Sequence, residues 1–241
     1  MVNVRSRFPR GAWAPTKAVL WLLIALLVFQ LAFGFSVNFI PGIAAFFEGM
    51  VLRTPDVLAG EVWRLASYGL LHSLSNPMHL VFNAMVLFFF GRDLEQRFGP
   101  WRFLLFVLLG VMAGGVAVVA TGAMHIGTGA AIGISGGCEA AVVTWALFNR
   151  DREVLLFMVA PVKGIWLLTF AIAMWMLDAV SVSDISAAAH FGGIVFGALA
   201  WLVLTKRNRL RLFVDDALVA LRLKKKPRLT IVPKGPDKWV H

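Results

Sequence analysis

The sequence predicts an all-α membrane protein, a six-transmembrane-helix bundle with both termini cytoplasmic. Three observations carry that expectation. First, 59% of the 241 residues are hydrophobic and only 15% are charged, with a mean hydropathy of +0.79; soluble domains carry about a quarter charged residues. Second, the apolar residues fall in runs close to the roughly 20 residues a helix needs to cross the hydrocarbon layer. Third, the net charge of +10 is unevenly placed. With six spans counted from an inner N-terminus, all but two of the 23 basic residues fall on inner segments, the exceptions being Arg53 and Arg64. Cytoplasmic segments of membrane proteins carry this excess of Lys and Arg. Membrane orientation therefore accounts for the basic residues, and no nucleic-acid partner is expected.

The chain reads as a cytoplasmic arm (1–17), a membrane domain (18–205) and a basic cytoplasmic tail (206–241). The basic arm ahead of an apolar stretch superficially resembles a secretory signal. The uncharged stretch over 18–47 has no small-residue cleavage site, so 18–35 is read as span one. The outer segment, 36–76, is long, apolar and punctuated by glycine. It is expected to fold back into the outer interface with Trp63 as an anchor. Span two covers 77–90, opened by Asn76-Pro77 and closed where charge resumes at Gly91-Arg92-Asp93. Span three covers 101–120, and the neutral, glycine-rich 122–133 reads as a short outer loop dipping toward the membrane. Span four, 135–148, is too short to cross alone and predicts a water-filled depression above its first turn. Residues 154–163 look interfacial, span five covers 164–180 and span six 187–205. The tail fits either an amphipathic helix on an anionic inner leaflet or a solvated extension. There is no internal repeat, and the single cysteine, Cys138, excludes an intramolecular disulfide.

A few polar residues stand at membrane depth, where each costs free energy unless partnered. Ser135, in Gly133-Ile134-Ser135-Gly136, opens the short span four. It reads either as a small helix-start residue or as a nucleophile whose backbone N–H faces a developing oxyanion. His190, in Ala189-His190-Phe191-Gly192-Gly193, opens span six beside a stripe of small residues that admits close helix packing. It reads as a buried structural histidine or as the general base of a Ser-His dyad, which needs only hydrogen-bond reach and a suitable pKa. His79 and Asn83 are four apart and share one helical face. They suit oxyanion stabilisation or interhelical polar glue. Glu139 stands one turn below Ser135; a structural partner ranks first for it and a third catalytic member second. The five histidines show no metal-ligand spacing, and Asp178 and Asp184 read as helix-end solvation. No metal and no cofactor is expected.

These residues together resemble the rhomboid intramembrane serine proteases over about 60–205. Glu61-Val62-Trp63-Arg64-Leu65 is similar to the family's first-loop Trp-Arg motif, and His79 with Asn83 to its His-x-x-x-Asn motif. Gly91 to Glu95 with Gly99 resembles the segment after span two. Gly133-Ile134-Ser135-Gly136 resembles the nucleophile motif, and Ala189-His190-Phe191-Gly192-Gly193 the general-base motif. The resemblance implies a serine endopeptidase acting on single-pass membrane proteins, in or near the outer end of their helix after a small residue. It implies Ser135 as nucleophile, His190 as base, and His79, Asn83 and the Ser135 amide as oxyanion donors. It leaves Trp63, Arg64 and Glu95 structural, admits substrate laterally beside span five, and suggests a bacterial inner membrane. In one departure, Glu139 replaces the large aromatic that the family carries four residues after the serine, beneath the histidine ring.

The alternative is a catalytically inactive relative that binds membrane-protein clients, which Glu139 favours and the joint presence of Ser135, His190, His79 and Asn83 opposes. A transporter would call for several intramembrane charges and a duplication. The oligomeric state is not legible in the sequence.

Overall fold

The computed structural model describes residues 14–156, 160–180 and 187–220. Most of the predicted arm, the tail beyond 220, Asp184 and His241 lie outside the described residues, as does the side chain of Asp178.

Helix α1 runs Lys17–Phe39, one turn beyond the predicted span end. Its start is held from elsewhere in the chain: the N–H groups of Ala18 and Val19 donate to the Glu95 carboxylate at 3.1 and 2.9 Å, and the Thr16 hydroxyl donates to it as well. Helix N-termini leave such donors without an intrahelical partner.

The outer segment is built of short pieces: α2 (Pro41–Glu48), strand β1 (Leu52–Arg53), α3 (Thr54–Leu58), α4 (Arg64–Ser67) and a 3-10 turn at Tyr68–Leu70. A second short strand, β2 (Ala130–Ala131), pairs antiparallel with β1. It ties the predicted 122–133 loop to the first outer segment.

Helix α5 (Met78–Val86) continues through a π turn at Leu87–Gly91 into α6 (Arg92–Phe98). The helix therefore runs on past Phe90, where the expected span closes, to Phe98. Its carboxylates have tertiary partners: Glu95 takes the α1 amides, and Asp93 accepts from Trp145 Nε1 at 2.9 Å and Arg152 at 2.8 Å. Gly91 leaves room for Phe103 and Val19, which an added Cβ would meet at 3.0 and 3.3 Å.

Helix α7 (Pro100–Ala123) starts with Pro at its first turn, after Gly99 in the left-handed region at φ +83°. Helix α8 (Ser135–Phe148) follows the outer loop. Strands β3 (Glu153–Leu156) and β4 (Ala160–Lys163) pair as a hairpin over the segment read as interfacial. Then come α9 (Gly164–Val180) and α10 (Ala187–Ala220). The chain divides into two compact units, the second starting at Leu202; its described residues, 202–220, are helical.

Helices α1, α7 and the Ala187–Arg207 portion of α10 are long and apolar enough to cross a membrane, and Gly164–Leu177 is a shorter apolar helix. Large apolar side chains such as Trp21, Leu31, Phe35, Leu105, Trp166 and Phe170 face outward, and α8 meets α10 at small residues. An apolar exterior with close small-residue helix contacts suits lipid as the surrounding solvent.

At the centre, α8 is buried on nearly every side. Gly136 and Ala140 lie against α10, where a Cβ on Gly193 would stand 2.2 Å from Gly136 O and one on Gly197 2.7 Å from Ala140 O. Thr144 donates to Gly197 O at 2.9 Å on the same face. Gly137 meets Val107 and Val111 of α7. Cys138 and Trp145 face α5 and its continuation, through Asn83 O and the Phe90 ring.

Candidate active site

Ser135 is the first residue of α8 and is 8% exposed. The chain arrives there through Gly133 at φ +115°, a conformation that side chains rarely adopt. The Gly133 N–H donates to Tyr68 O at 2.9 Å. Tyr68 is fully buried, and its hydroxyl donates to Val111 O at 2.7 Å. The outer 3-10 turn thus braces the loop that delivers the serine. At the head of α8 the helix dipole favours negative charge, while the Gly137 and Cys138 N–H groups donate back to Ile134 O at 2.9 and 3.1 Å.

His79 lies directly over this loop. A Cβ on Gly133 would stand 2.7 Å from His79 Cε1 and 2.8 Å from Nε2. Asn83 is one turn further along α5, and its carbonyl meets Cys138 Sγ in the first turn of α8 at 3.6 Å. His79 Nε2 and Asn83 Nδ2 are both buried with no hydrogen-bond partner among the described residues. Two unsatisfied polar atoms at one place, beside a buried hydroxyl, call for an explanation, because buried polar groups are almost always paired.

Sequence reasoning gave His72 no role, yet it is fully buried with its ring edge-to-face on His79, centroids 5.1 Å apart. Burial, and secondarily the neighbouring His79, hold its imidazole down at about 3. The available signal was its place in Leu70-Leu71-His72, an apolar stretch leading into the His79 helix.

His190 comes from the start of α10. Its neighbour Ala189 has its carbonyl against α8, 3.2 Å from where a Cβ on Gly136 would lie. His190 is within electrostatic reach of His79. Glu139 is half-buried one turn along α8 from Ser135, and its Oε2 is fully enclosed. The fold therefore gathers the Ser135–Gly136, His79–Asn83 and Ala189–Gly193 segments at one end of α8.

The family model of the rhomboid domain matches residues 59–207. The protein belongs to the rhomboid family. The rhomboid protein YdcA of Bacillus subtilis is 32% identical over 158 residues, covering 64% of this chain and 73% of its own. The rhomboid protease GlpG of Haemophilus influenzae is 32% identical over 142 residues, covering 58% and 68%. With its apolar helices, this rhomboid is an integral membrane protein.

The remaining motif residues of the rhomboid chain stand away from Ser135. Trp63 is more than half exposed, and its Nε1 donates to Gly49 O at 3.1 Å. Arg64 is buried; it donates to Glu61 at 2.6 Å, to the carbonyls of Glu48 and Val51 at 2.8 and 2.6 Å, and pairs with Asp56 at 3.2 Å. One guanidinium thus gathers three stretches of the outer segment, which its planar fork of donors allows. Glu95 caps α1. His125 is exposed in the outer loop, and among the described residues no group of three or more His, Cys, Asp or Glu could hold a metal ion.

Proposed function

We propose that this rhomboid is an intramembrane serine endopeptidase using a Ser135–His190 dyad. The observation that carries this reading is the convergence at the head of α8: a buried serine hydroxyl, two unsatisfied polar atoms on α5, and the His190 turn of α10 packed against Gly136. The relative named as a protease supports it. Ser135 Oγ attacks the scissile carbonyl while His190 takes its proton and later passes it to the leaving amine. The oxyanion is received by His79, Asn83 and the Ser135 amide, so the charge that forms in the transition state meets donors already in place.

The domain crosses the membrane six times with both termini inside, in a bacterial inner membrane, where residues 18–205 form the membrane domain and 206–241 a basic tail. Its substrates are single-pass membrane proteins that enter beside α9 and are cut after a small residue near the outer end of their helix. The test is co-expression with a single-pass substrate. Ser135→Ala abolishes cleavage while protein level is unchanged; continued cleavage removes Ser135 as nucleophile.

A second reading, a catalytically inactive binder of membrane clients, is favoured by Glu139 standing where the family carries an aromatic. Loss of cleavage in Ser135→Ala rejects it.

A further inference from the structure

Glu139 is a carboxylate inside the bundle that the dyad does not use, and the contacts of α8 fix where it stands. Gly136, Ala140 and Thr144 form the stripe against α10. Cys138 and Trp145 form the stripe against α5 and its continuation. At 100° per residue, Ser135 and Glu139 share the flank between those two stripes. His190 rises from α10, next to an Ala189 carbonyl seated on Gly136, and lies within electrostatic reach of His79 on α5. On α10, Gly192 meets Ala113 and Gly114 of α7, and at 100° per residue His190 falls on the opposite side of the Ala189–Gly193–Gly197 stripe, the side away from α7 that the Ser135–Glu139 flank of α8 also occupies. Ser135 marks the upper end of that flank and Glu139 the next turn down. Other titratable groups close to this flank are His79, His72 behind it, and the Cys138 thiol beside Glu139. Neither histidine supplies an acceptor with negative charge.

We propose that Glu139 is the positioning residue of His190, its carboxylate accepting the imidazole N–H opposite the nitrogen that serves Ser135. The inference rests on the endopeptidase reading and deepens it from a dyad to a Ser-His-Glu arrangement. When Ser135 Oγ forms its bond to the substrate carbonyl carbon, its proton passes to one nitrogen of His190. The other nitrogen keeps its proton and donates it in a hydrogen bond to the Glu139 carboxylate. The carboxylate selects the ring orientation and tautomer and stabilises the imidazolium, the part an acidic third member plays in soluble hydrolases. This role also accounts for a carboxylate at a depth where it is costly.

The test is a two-step inactivation measurement with a fluorophosphonate on the purified full-length protein, separating the maximal rate kinact from the binding constant KI. Active-site titration normalises each variant to its folded fraction. Glu139→Gln keeps the size and removes the charge; kinact falls about a hundredfold with KI unchanged. A merely structural role lowers the folded fraction and leaves kinact alone, and an unchanged kinact overturns the proposal. Should Glu139→Gln fail to fold, Glu139→Ala carries the same test. It removes the acceptor and offers His190 no other support, so a kinact equal to the unsubstituted protein's overturns the proposal there too. If the unsubstituted protein is not labelled at Ser135, the endopeptidase reading falls and takes this one with it. Normal labelling with an unaffected Gln variant sinks this proposal alone.

Discussion

The backbone at Gly133 passes beneath the His79 ring so closely that a methyl group there would stand 2.8 Å from Nε2. One residue type thus serves two ends: it takes the +115° φ of the turn into α8, and it lets an α5 imidazole approach the serine.

Gly133→Ala meets both obstacles at once. The strained backbone costs about 1–3 kcal/mol, and the ring must shift away from the loop. Thermal unfolding in detergent will show a lower Tm. Fluorophosphonate labelling of the folded fraction will fall, because the imidazole is displaced; unchanged labelling would remove His79 from the site.

Arg64→Ala removes the guanidinium that joins Glu48, Val51, Asp56 and Glu61. Its carboxylate partners, Asp56 and Glu61, are about a third exposed, so the loss is about 1–3 kcal/mol. Arg64→Lys recovers little, since a point charge cannot reach two carboxylates and two carbonyls together. Limited proteolysis within the outer segment, faster in both variants, checks this.

Glu95→Gln weakens the cap on α1 by about 1–2 kcal/mol, the loss of charge-assisted bonds to two amides and a hydroxyl. It is far from Ser135, so labelling per folded molecule is unchanged while Tm drops. A Tm equal to that of the unsubstituted protein contradicts the capping role.

His72 sets a pH dependence of stability. Its folded pKa, about 3, lies below the unfolded value of about 6.5, so the unfolded chain binds more protons between those limits. Its neutral burial therefore costs nothing above pH ~6.5 and weakens the fold as pH falls toward 3, by up to about 1.4 kcal/mol per pH unit. Tm will decline on acidification below pH 6, and His72→Phe will flatten that decline.

The glycine-flanked Ser135 and His190, and the paired His79 and Asn83, were legible because intramembrane polar groups are rare and each costs free energy. The shortness of α8 was legible too, but its central place among the other helices was not, since length alone does not say which elements surround a helix. The β1–β2 pairing was not legible: two residues per strand carry no periodicity, and the partners lie far apart in sequence. The continuation of α5 into α6 was missed because Asp93 and Glu95 look like solvated helix-end charges until Trp145, Arg152 and the α1 amides are in view. His72 was passed over because an apolar approach does not distinguish a buried histidine from a loop one. The β3–β4 pairing within the stretch read as interfacial was not legible either, because its register is set by pairing rather than by pattern.

The most direct measurement is mass-spectrometric mapping of a fluorophosphonate adduct on the purified full-length protein. The expected result is a single adduct at Ser135, absent in Ser135→Ala and lost in His190→Ala. An unlabelled Ser135 in folded protein, or equal labelling with His190 replaced, contradicts an activated serine at the head of α8.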